Sequence, residues 1–406
     1  MIVGEFFNWA QSASVALRTE GASALARAYL LSRLDATSRR EAEIALTCLA
    51  DDLSPRVRRA LADVMASAPQ APRALIAALA NDQSDVAAPI LSRSPLFSEA
   101  ELIEYATIGD ALAQTAIARR AHVSVAVAAA LAGCGARGAV ITLVLNPGAD
   151  LGEASMRSLL ERFRDDGEIR EALLARPSLP GAIRSRLVQA TASTLLAFTV
   201  DCAWLSPERA ERLSREARDK ANVSIAAETA RRAGRKRLRA FVSHLRKSGE
   251  LTASLVLRAL LSGRPELFEA TLVELSGLSE PRVACQLRAF RGAGFAAVYA
   301  KAGLPEKFVT VFRAALDALG ELEPVNPDDA AELRLAVIEP VLARCELAKS
   351  GELDRLVALL RRFEMEAARE TARARAPALS ASRAQRRPGA PLIDMRALEE
   401  ALGQAA

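Results

Sequence analysis

The sequence has few aromatic residues and no strand-like segments, and these shortages exclude most sheet-based folds. Aromatics make up 4% of the 406 residues, whereas Ala, Leu and Val supply most of an apolar content of 51%. Small residues with high helix propensity favour closely packed helices over sheets. The length fits either two domains or one extended repeat array. The sequence therefore predicts an all-α protein with enough apolar residues for a large core.

Histidine and cysteine are too sparse for a metal centre. His122 and His244 are the only histidines, and five cysteines lie far apart without a CxxC pair: Cys48, Cys134, Cys202, Cys285 and Cys345. We expect reduced, mostly buried thiols in a cytoplasmic protein. Sequence motifs of serine hydrolases, zinc proteases and phosphate-binding loops are also missing. Acid pairs such as Asp51 with Asp52 leave a carboxylate site open, although acids at helix starts are expected for capping alone. We predict no cofactor, no metal ligand and no catalytic residue, and hence a non-enzymatic protein.

No apolar run is long enough to cross a membrane. The most apolar stretch, VSVAVAAALAGCGARGAVITLVLNPGA, is interrupted by Gly133, Gly135, Arg137 and Gly138. Its pieces fall short of the ~20 residues that a transmembrane helix needs. The stretch instead predicts two buried helices joined by a turn. The N-terminus has no basic region before an apolar run, so we expect no secretory signal.

Two repeated elements organise the first half of the chain. LADDLSPRVRRALA, from Leu49, and LANDQSDVAAPILS, from Leu79, lie 30 residues apart, and Asp52 or Ser54 and Asp82 or Ser84 are candidate helix caps. A second element, an apolar helix end with arginine before a turn, aligns on Arg93, Arg119 and Arg176. Both predict a two-helix unit of roughly 28–30 residues that recurs from about residue 20 to 200, as in a HEAT-like α-solenoid.

Positive charge is concentrated in two segments of an otherwise acidic chain, residues 229–249 and residues 369–390. Between Glu228 and Glu250 there are eight basic residues and no acid: Arg231, Arg232, Arg235, Lys236, Arg237, Arg239, Arg246 and Lys247. If this basic segment is a helix, Leu238, Phe241, Val242 and Leu245 form one apolar stripe and the cations spread over the rest of its surface. Such a helix suits a solvated or partner-facing surface, a sequence-tolerant nucleic-acid site or anionic lipid headgroups. No exposed aromatic residue interleaves with the cations, which speaks against a stacking platform for bases.

Several motifs together resemble a bacterial family, domain of unknown function 2336. They are RSPLFSEAELIEYA, LARPSLP, SLVLRALLSGRPELFEATLVELSGL and YAKAGLP, and the likeness extends from about residue 30 to 370. The resemblance implies a HEAT-like helical repeat fold. It brings no catalytic residue that could be transferred to this chain.

The chain is expected to fall into four parts. These are HEAT-like repeats over residues 1–204, a helical region over 205–366, a disordered Arg/Ala/Pro linker over 367–390, and a short amphipathic tail helix over 391–406. Trp204 is expected to pack at the junction of the first two. In the tail, Leu392, Met395, Leu398 and Leu402 follow helical spacing, typical of a helix that docks into a groove. We therefore predict a protein-interaction scaffold with unidentified protein partners, and a nucleic-acid-binding protein as the alternative.

Overall fold

The structure is a computed structural model that describes residue 9 and residues 12–177, 179–321, 330–347 and 354–384. Throughout these residues the regular structure is helical, apart from one isolated β-bridge between Val123 and Ala149. The predicted all-α class is therefore confirmed. The chain divides into two compact units, Met1–Leu195 and Leu196–Ala406. This division lies slightly before the boundary expected after residue 204.

The N-terminal unit consists of short helices. They are α1 (Val15–Leu31), α2 (Ala36–Ala50), α3 (Pro55–Met65), α4 (Arg73–Ala80), α5 (Ser84–Arg93), α6 (Glu99–Ile108), α7 (Ala111–Ala118), α8 (Val125–Cys134), α9 (Arg137–Leu145), α10 (Glu153–Arg162) and α11 (Gly167–Leu174). The next helix, α12 (Gly181–Asp201), spans the division between the units. From α3 onward the odd-numbered helices begin 26 to 30 residues apart, close to the period predicted from the sequence.

Helices of the N-terminal unit pack against their next-but-one neighbours. Each odd-numbered helix from α1 to α9 contacts the next odd-numbered one, and α6, α8 and α10 form a second such series. Leucine, valine, isoleucine and alanine side chains fill the space between these helices. Each of these helices therefore buries apolar side chains against a helix two positions away in chain order.

Side chains from one turn donate to backbone carbonyls of the turn before it. The α7–α8 turn places Arg120, whose guanidinium donates to the carbonyls of Leu91 (2.7 Å) and Ser94 (2.7 Å) in the α5–α6 turn. The α9–α10 turn places Asn146, which donates to Ala118 O and Arg120 O, both at 2.8 Å. The α11–α12 turn places Arg176, whose three acceptors are Val144 O, Asn146 O and Ala149 O. Four successive turns are thus joined through helix-end carbonyls that would otherwise lack partners.

The repeated arginine of the sequence is therefore only partly the one we predicted. Arg176 caps the preceding turn, but its counterpart is Arg120, because Arg119 points to solvent. Arg93 instead forms an ion pair with Asp63 at 2.9 Å. The sequence alignment placed an arginine at each helix end but could not tell which of two adjacent arginines faces the neighbouring turn.

The acids of the other repeated element accept hydrogen bonds from backbone N–H groups close to the helix starts, as predicted: Asp52 accepts from Ser54 N at 2.8 Å and Asp82 from Gln83 N at 2.7 Å. They also have a second role. Asp52 accepts from Arg18 at 2.8 Å and Asp82 accepts from Arg58, so each acid joins two successive repeats. Ser54 makes no side-chain cap at the start of α3. Helix caps occur elsewhere, for example at Ser98, which forms a reciprocal capping box with Glu101 at the start of α6.

The C-terminal unit has longer helices and an aromatic core. Its helices are α13 (Pro207–Lys247), α14 (Ala253–Leu261), α15 (Pro265–Ser276), α16 (Glu280–Arg288), α17 (Ala293–Lys301), α18 (Val309–Glu321), α19 (Ala330–Leu347) and α20 (Asp354–Ala384). Phe268, Phe295, Tyr299 and Phe312 are each at most 1% exposed and lie together. The rings of Phe268 and Phe312 stack with centroids 5.1 Å apart. The scarce aromatic residues are therefore concentrated where they bury most area.

Helix α20 corrects the predicted linker. The sequence pattern placed disorder from residue 367, but the helix continues to Ala384, with Ala367 and Thr371 buried. Its Ala, Glu and Arg residues have high helix propensity, and Glu366 and Glu370 pair with cations of neighbouring helices. Low apolar content therefore did not prevent folding, because ion pairs hold this helix. The predicted tail helix, with Leu392, Met395, Leu398 and Leu402, lies outside the described residues.

Two further expectations about burial are wrong. Of the five cysteines only Cys345 is buried, whereas Cys48, Cys134, Cys202 and Cys285 are exposed. Trp204 is 68% exposed and touches Phe198 edge-on, with ring centroids 5.3 Å apart, instead of packing in a core. Leucine and alanine fill most interior positions of these closely packed helices, so these cysteines and Trp204 lie at the surface.

Candidate functional site

The basic segment, residues 231–247, lies in α13 and is broken at Gly234. Gly234 has φ of +73°, a conformation that only glycine adopts readily, so the helix axis changes there. Beyond the break, Leu238, Phe241, Val242 and Leu245 are 0–2% exposed. The predicted apolar stripe is confirmed. Arg231 and Arg232, however, belong to the part of α13 before the break and not to the same face as the other six cations.

Acids of α15 and α16 neutralise part of this segment. Arg235 pairs with Glu269 (3.3 Å) and Glu280 (2.7 Å), and Arg246 approaches Glu274 to 3.5 Å. Arg239 reaches Glu280 at 3.9 Å. These exposed arginines therefore face acids of their own chain. The hydrogen bond to Glu280 raises the pKa of Arg235 above its ordinary value.

Four cations of the basic segment have no ion pair among the described residues: Arg231, Lys236, Arg237 and Lys247. The remaining one, Arg232, pairs with Glu228 at 2.8 Å. Arg235, Arg239, Glu269 and Glu280 also line a cavity of about 20 Å³, which is room for roughly one water molecule. The segment does not form a continuous cationic surface.

A larger cavity of about 300 Å³ lies in the C-terminal unit, between α13, α14, α19 and α20, and we call it the cation pocket. Its α13 wall consists of residues at helical spacing on one face: Lys220, Val223, Ser224, Ala227, Glu228 and Arg231. Arg334 and Ile338, four residues apart, supply the α19 wall. Five of the lining side chains are basic: Lys220, Arg231, Arg258, Arg264 and Arg334.

Arg258 is the most buried cation of the pocket. It interrupts the apolar run Leu255–Leu261, in which all seven residues are buried, and is itself 8% exposed. Its guanidinium lies 4.1 Å from the ring centroid of Phe363 and donates to Glu366 at 2.7 Å. A cation over an aromatic face and against a carboxylate recovers part of the cost of burial.

Two glutamates on α20 tie three cations together. Glu366 also pairs with Lys220 at 3.0 Å, and Glu370 pairs with both Lys220 and Arg334. Burial alone would raise the pKa of Glu366, but Arg258 and Lys220 hold it below its usual range. Burial lowers the pKa of Lys220, yet the two carboxylates raise it above its ordinary value. Glu366 and Lys220 are therefore both charged at neutral pH.

The remaining two cations have no ion pair among the described residues. Arg231 and Arg264 are both exposed at the pocket. Arg264 is positioned by the turn that ends α14: its N–H donates to Ala259 O, the N–H of Gly263 donates to Leu260 O, and Gly263 has φ of +68°. This Schellman arrangement directs the chain into α15 and fixes the backbone of Arg264.

Apart from Arg231, no residue of the cation pocket was predicted from the sequence. The sequence feature that could have indicated the pocket is Arg258, a single charged residue within the otherwise apolar run Leu255–Leu261. Arg258, Leu261, Ser262 and Arg264 all come from SLVLRALLSGRPELFEATLVELSGL, one of the motifs that carry the family resemblance. The other walls come from α13, about 30 to 45 residues earlier in the chain, and from α19 and α20, about 70 to 110 residues later, and no local pattern connects these residues to the motif.

Other sequence features bring no site together in the described part of the chain. His122 lies exposed in a turn of the N-terminal unit and His244 on α13. No group of three or more His, Cys, Asp or Glu side chains converges among the described residues. Within those residues, no helix combines the length and apolar character needed to cross a bilayer.

Comparison with known proteins identifies a family. Its model, described as an uncharacterised protein conserved in bacteria (domain of unknown function 2336), matches residues 86–351. The match begins in α5 and ends before α20, so Phe363 and Glu366 of the cation pocket lie beyond it. Neither the curated proteins nor the solved structures include a match. Since the matched range covers more than half of the 406 residues, the chain belongs to the bacterial family domain of unknown function 2336, as its motifs predicted.

Proposed function

We propose that this protein is a non-enzymatic, cytoplasmic scaffold for protein–protein interaction. Its N-terminal unit acts as a HEAT-like stack of helical hairpins that presents a binding edge, and the C-terminal segment over residues 391–406 supplies a second, tethered contact. The proposal gives the repeat a purpose, because stacked hairpins create extended surfaces suited to binding.

The observation that carries the proposal is a pair of exposed leucines at equivalent places in successive repeats. Leu145 ends α9 and is 59% exposed, and Leu174 ends α11 and is 55% exposed. Arg176 joins the turns that follow these two helices, so the leucines lie on the same edge of the N-terminal unit. Exposed apolar side chains grouped on one edge support a contact with another protein.

The test is co-purification from the source bacterium with wild-type protein and with a Leu145→Ser/Leu174→Ser variant. We expect a partner whose recovery falls at least ~10-fold, the loss that ~1.4 kcal/mol of binding energy produces. Ile44→Ser is the matched control, because Ile44 is 55% exposed on α2, away from this edge. Equal recovery with all three proteins would refute the proposed edge. The melting temperatures of both variants should equal that of the wild type.

A deletion of residues 390–406 tests the second contact. Loss of the partner with an unchanged melting temperature supports a docking segment that acts between molecules. A clear drop in melting temperature would show that the segment folds back onto its own chain, and would remove it from the proposal.

Nucleic-acid binding is the second candidate, and the exposed, unpaired Lys236, Arg237 and Lys247 favour it. Fluorescence anisotropy with generic DNA and RNA at ~50 and ~200 mM salt tests this candidate, since phosphate contacts weaken steeply with salt. Salt-sensitive binding that disappears when Arg235, Lys236, Arg239, Arg246 and Lys247 become Gln would establish it. Binding that this variant retains would exclude the basic segment as the nucleic-acid site.

A further inference from the structure

We propose that the cation pocket binds the phosphate group of a small phosphate ester, of about the size of a mononucleotide. This inference does not depend on the scaffold function, since it concerns a small-molecule site in the C-terminal unit. It rests on the volume of the cavity, the excess of positive charge that lines it, and buried guanidinium groups with unused donors.

The charge balance of the pocket calls for a dianion. Five cations line it, and the two glutamates of α20 can neutralise only two of them. The third acid at the pocket, Glu228, pairs with Arg232, which does not line the cavity. A phosphate monoester carries about −1.5 to −2 charges at pH 7, whereas one carboxylate carries −1. The two positive charges of the unpaired Arg231 and Arg264 therefore match the charge of a phosphate monoester more closely than that of a single carboxylate.

Unused donors point in the same direction. The Nε atoms of Arg258 and Arg334 are buried and have no hydrogen-bond partner among the described residues. Arg258 is more than nine-tenths buried and lines the cavity. A buried donor without a partner costs about 1–3 kcal/mol, more when the group is charged. Both arginines line the cavity, so an oxyanion bound there would offset part of this cost through its charge, and Arg forms paired hydrogen bonds with planar or tetrahedral oxyanions.

The shape of the site favours a small molecule over a polymer. The cations line a concavity of about 300 Å³, at the lower end of the range for small-ligand sites. Ser224 and Ser262 add hydroxyl groups to its wall, and Ala227 and Ile338 add apolar surface. Phosphate oxygens would contact the arginines and hydroxyls, and the organic part of the ester would lie against the apolar residues.

Isothermal titration calorimetry of the full-length protein with AMP, inorganic phosphate and adenosine tests the proposal. We expect AMP to bind, phosphate to bind at least ~10-fold more weakly, and adenosine not to bind at ~10 mM. Changing both Arg231 and Arg264 to Gln should weaken AMP binding at least ~10-fold, because two charge-assisted contacts are lost. These two arginines are exposed, so the variant should keep the wild-type melting temperature.

The matched control is the Lys236→Gln/Arg237→Gln variant, which removes the same charge from exposed positions outside the pocket. It should bind AMP as the wild type does. An equal loss in both variants would reduce the effect to net charge and overturn the site. Equal affinity for AMP and phosphate would overturn the ester, and no binding of either at ~10 mM would overturn the proposal as a whole. None of these results bears on the leucine edge of the N-terminal unit.

Discussion

Two sets of arginines, one in each unit, have different hydrogen-bond partners. In the N-terminal unit, Arg120, Arg162 and Arg176 each donate to backbone carbonyls at the end of a helix in the preceding repeat. In the C-terminal unit, Arg258 and Arg334 are held by side-chain carboxylates and keep unpaired Nε atoms. The hydrogen bonds to backbone carbonyls fix the guanidinium groups of the first three arginines between two turns. These arginines therefore have a structural role.

The difference separates arginines whose hydrogen bonds serve the fold from arginines whose charge is available to a ligand. Arginines that cap successive turns are spaced along the N-terminal unit, each with its own acceptors. Arginines of the cation pocket share acids and a cavity, so their mutual repulsion must be offset by something negative. Clustering, more than the number of arginines, separates a candidate binding site from structural support.

The largest effect should follow from the loss of a capping arginine. Arg120→Ala removes two short hydrogen bonds and leaves the carbonyl of Ser94, a fully buried residue, without its donor. We expect the free energy of unfolding to fall by about 3–6 kcal/mol, since each of the two hydrogen bonds from this charged donor contributes about 1.5–3 kcal/mol. Urea denaturation of the full-length protein measures the change. Arg119→Ala is the control, because Arg119 is exposed and its side chain donates to no carbonyl among the described residues. An equal loss of stability in this control would refute the capping role of Arg120.

A buried acid should have a smaller effect, in the opposite direction. Asp219 is 8% exposed between α13 and α14, and burial raises its pKa to about 6, although the hydrogen bond to Ser254 and the charge of Arg258 oppose the shift. Glu250 raises the pKa further and Arg218 lowers it. The folded state therefore binds this proton more tightly than the unfolded state, so stability declines as pH rises from about 4 to about 6.

Asp219→Asn removes the charge and with it this decline. At pH 7.5 we expect the variant to be more stable than the wild type by about 2–3 kcal/mol, since each pKa unit corresponds to about 1.4 kcal/mol. Near pH 4 the two proteins should differ little. Urea denaturation at both pH values measures the effect, with Asp201→Asn as an exposed control. A variant that is less stable than the wild type at pH 7.5 would mean that the Asp219 carboxylate is needed by Arg218 and Arg258.

The sequence predicted the features that depend on local pattern. Helix content, the period of the repeat and the buried stripe from Leu238 to Leu245 follow from residue spacing within a few turns. The acids facing Arg235 could not be predicted, because Glu269 and Glu280 lie on helices whose packing against α13 has no local signature. The same holds for the cation pocket, whose arginines come from three separate helices. Arg120 was missed for a smaller reason, a one-residue ambiguity beside Arg119.

The smallest effect concerns the acids that face the basic segment. Changing Glu269 and Glu280 to Gln frees Arg235 and Arg239, so their charges become available to phosphates. We expect stability to change little, because exposed ion pairs contribute little. Binding to generic duplex DNA should strengthen, and the slope of log K against log salt should steepen by up to about 2, for two added phosphate contacts.

The control must change the net charge equally, but outside the C-terminal unit. Glu104→Gln/Glu171→Gln does so at two exposed acids of the N-terminal unit. If the acids of α15 and α16 screen the basic segment, only the first variant gains affinity and a steeper slope in anisotropy measurements. If both variants gain equally, overall charge governs binding, and the ion pairs of Arg235 do not limit it. If neither variant gains affinity, the unpaired Lys236, Arg237 and Lys247 are not part of a phosphate-binding surface. The cations of the basic segment then serve to keep α13 solvated, in contrast to the cations that line the cation pocket.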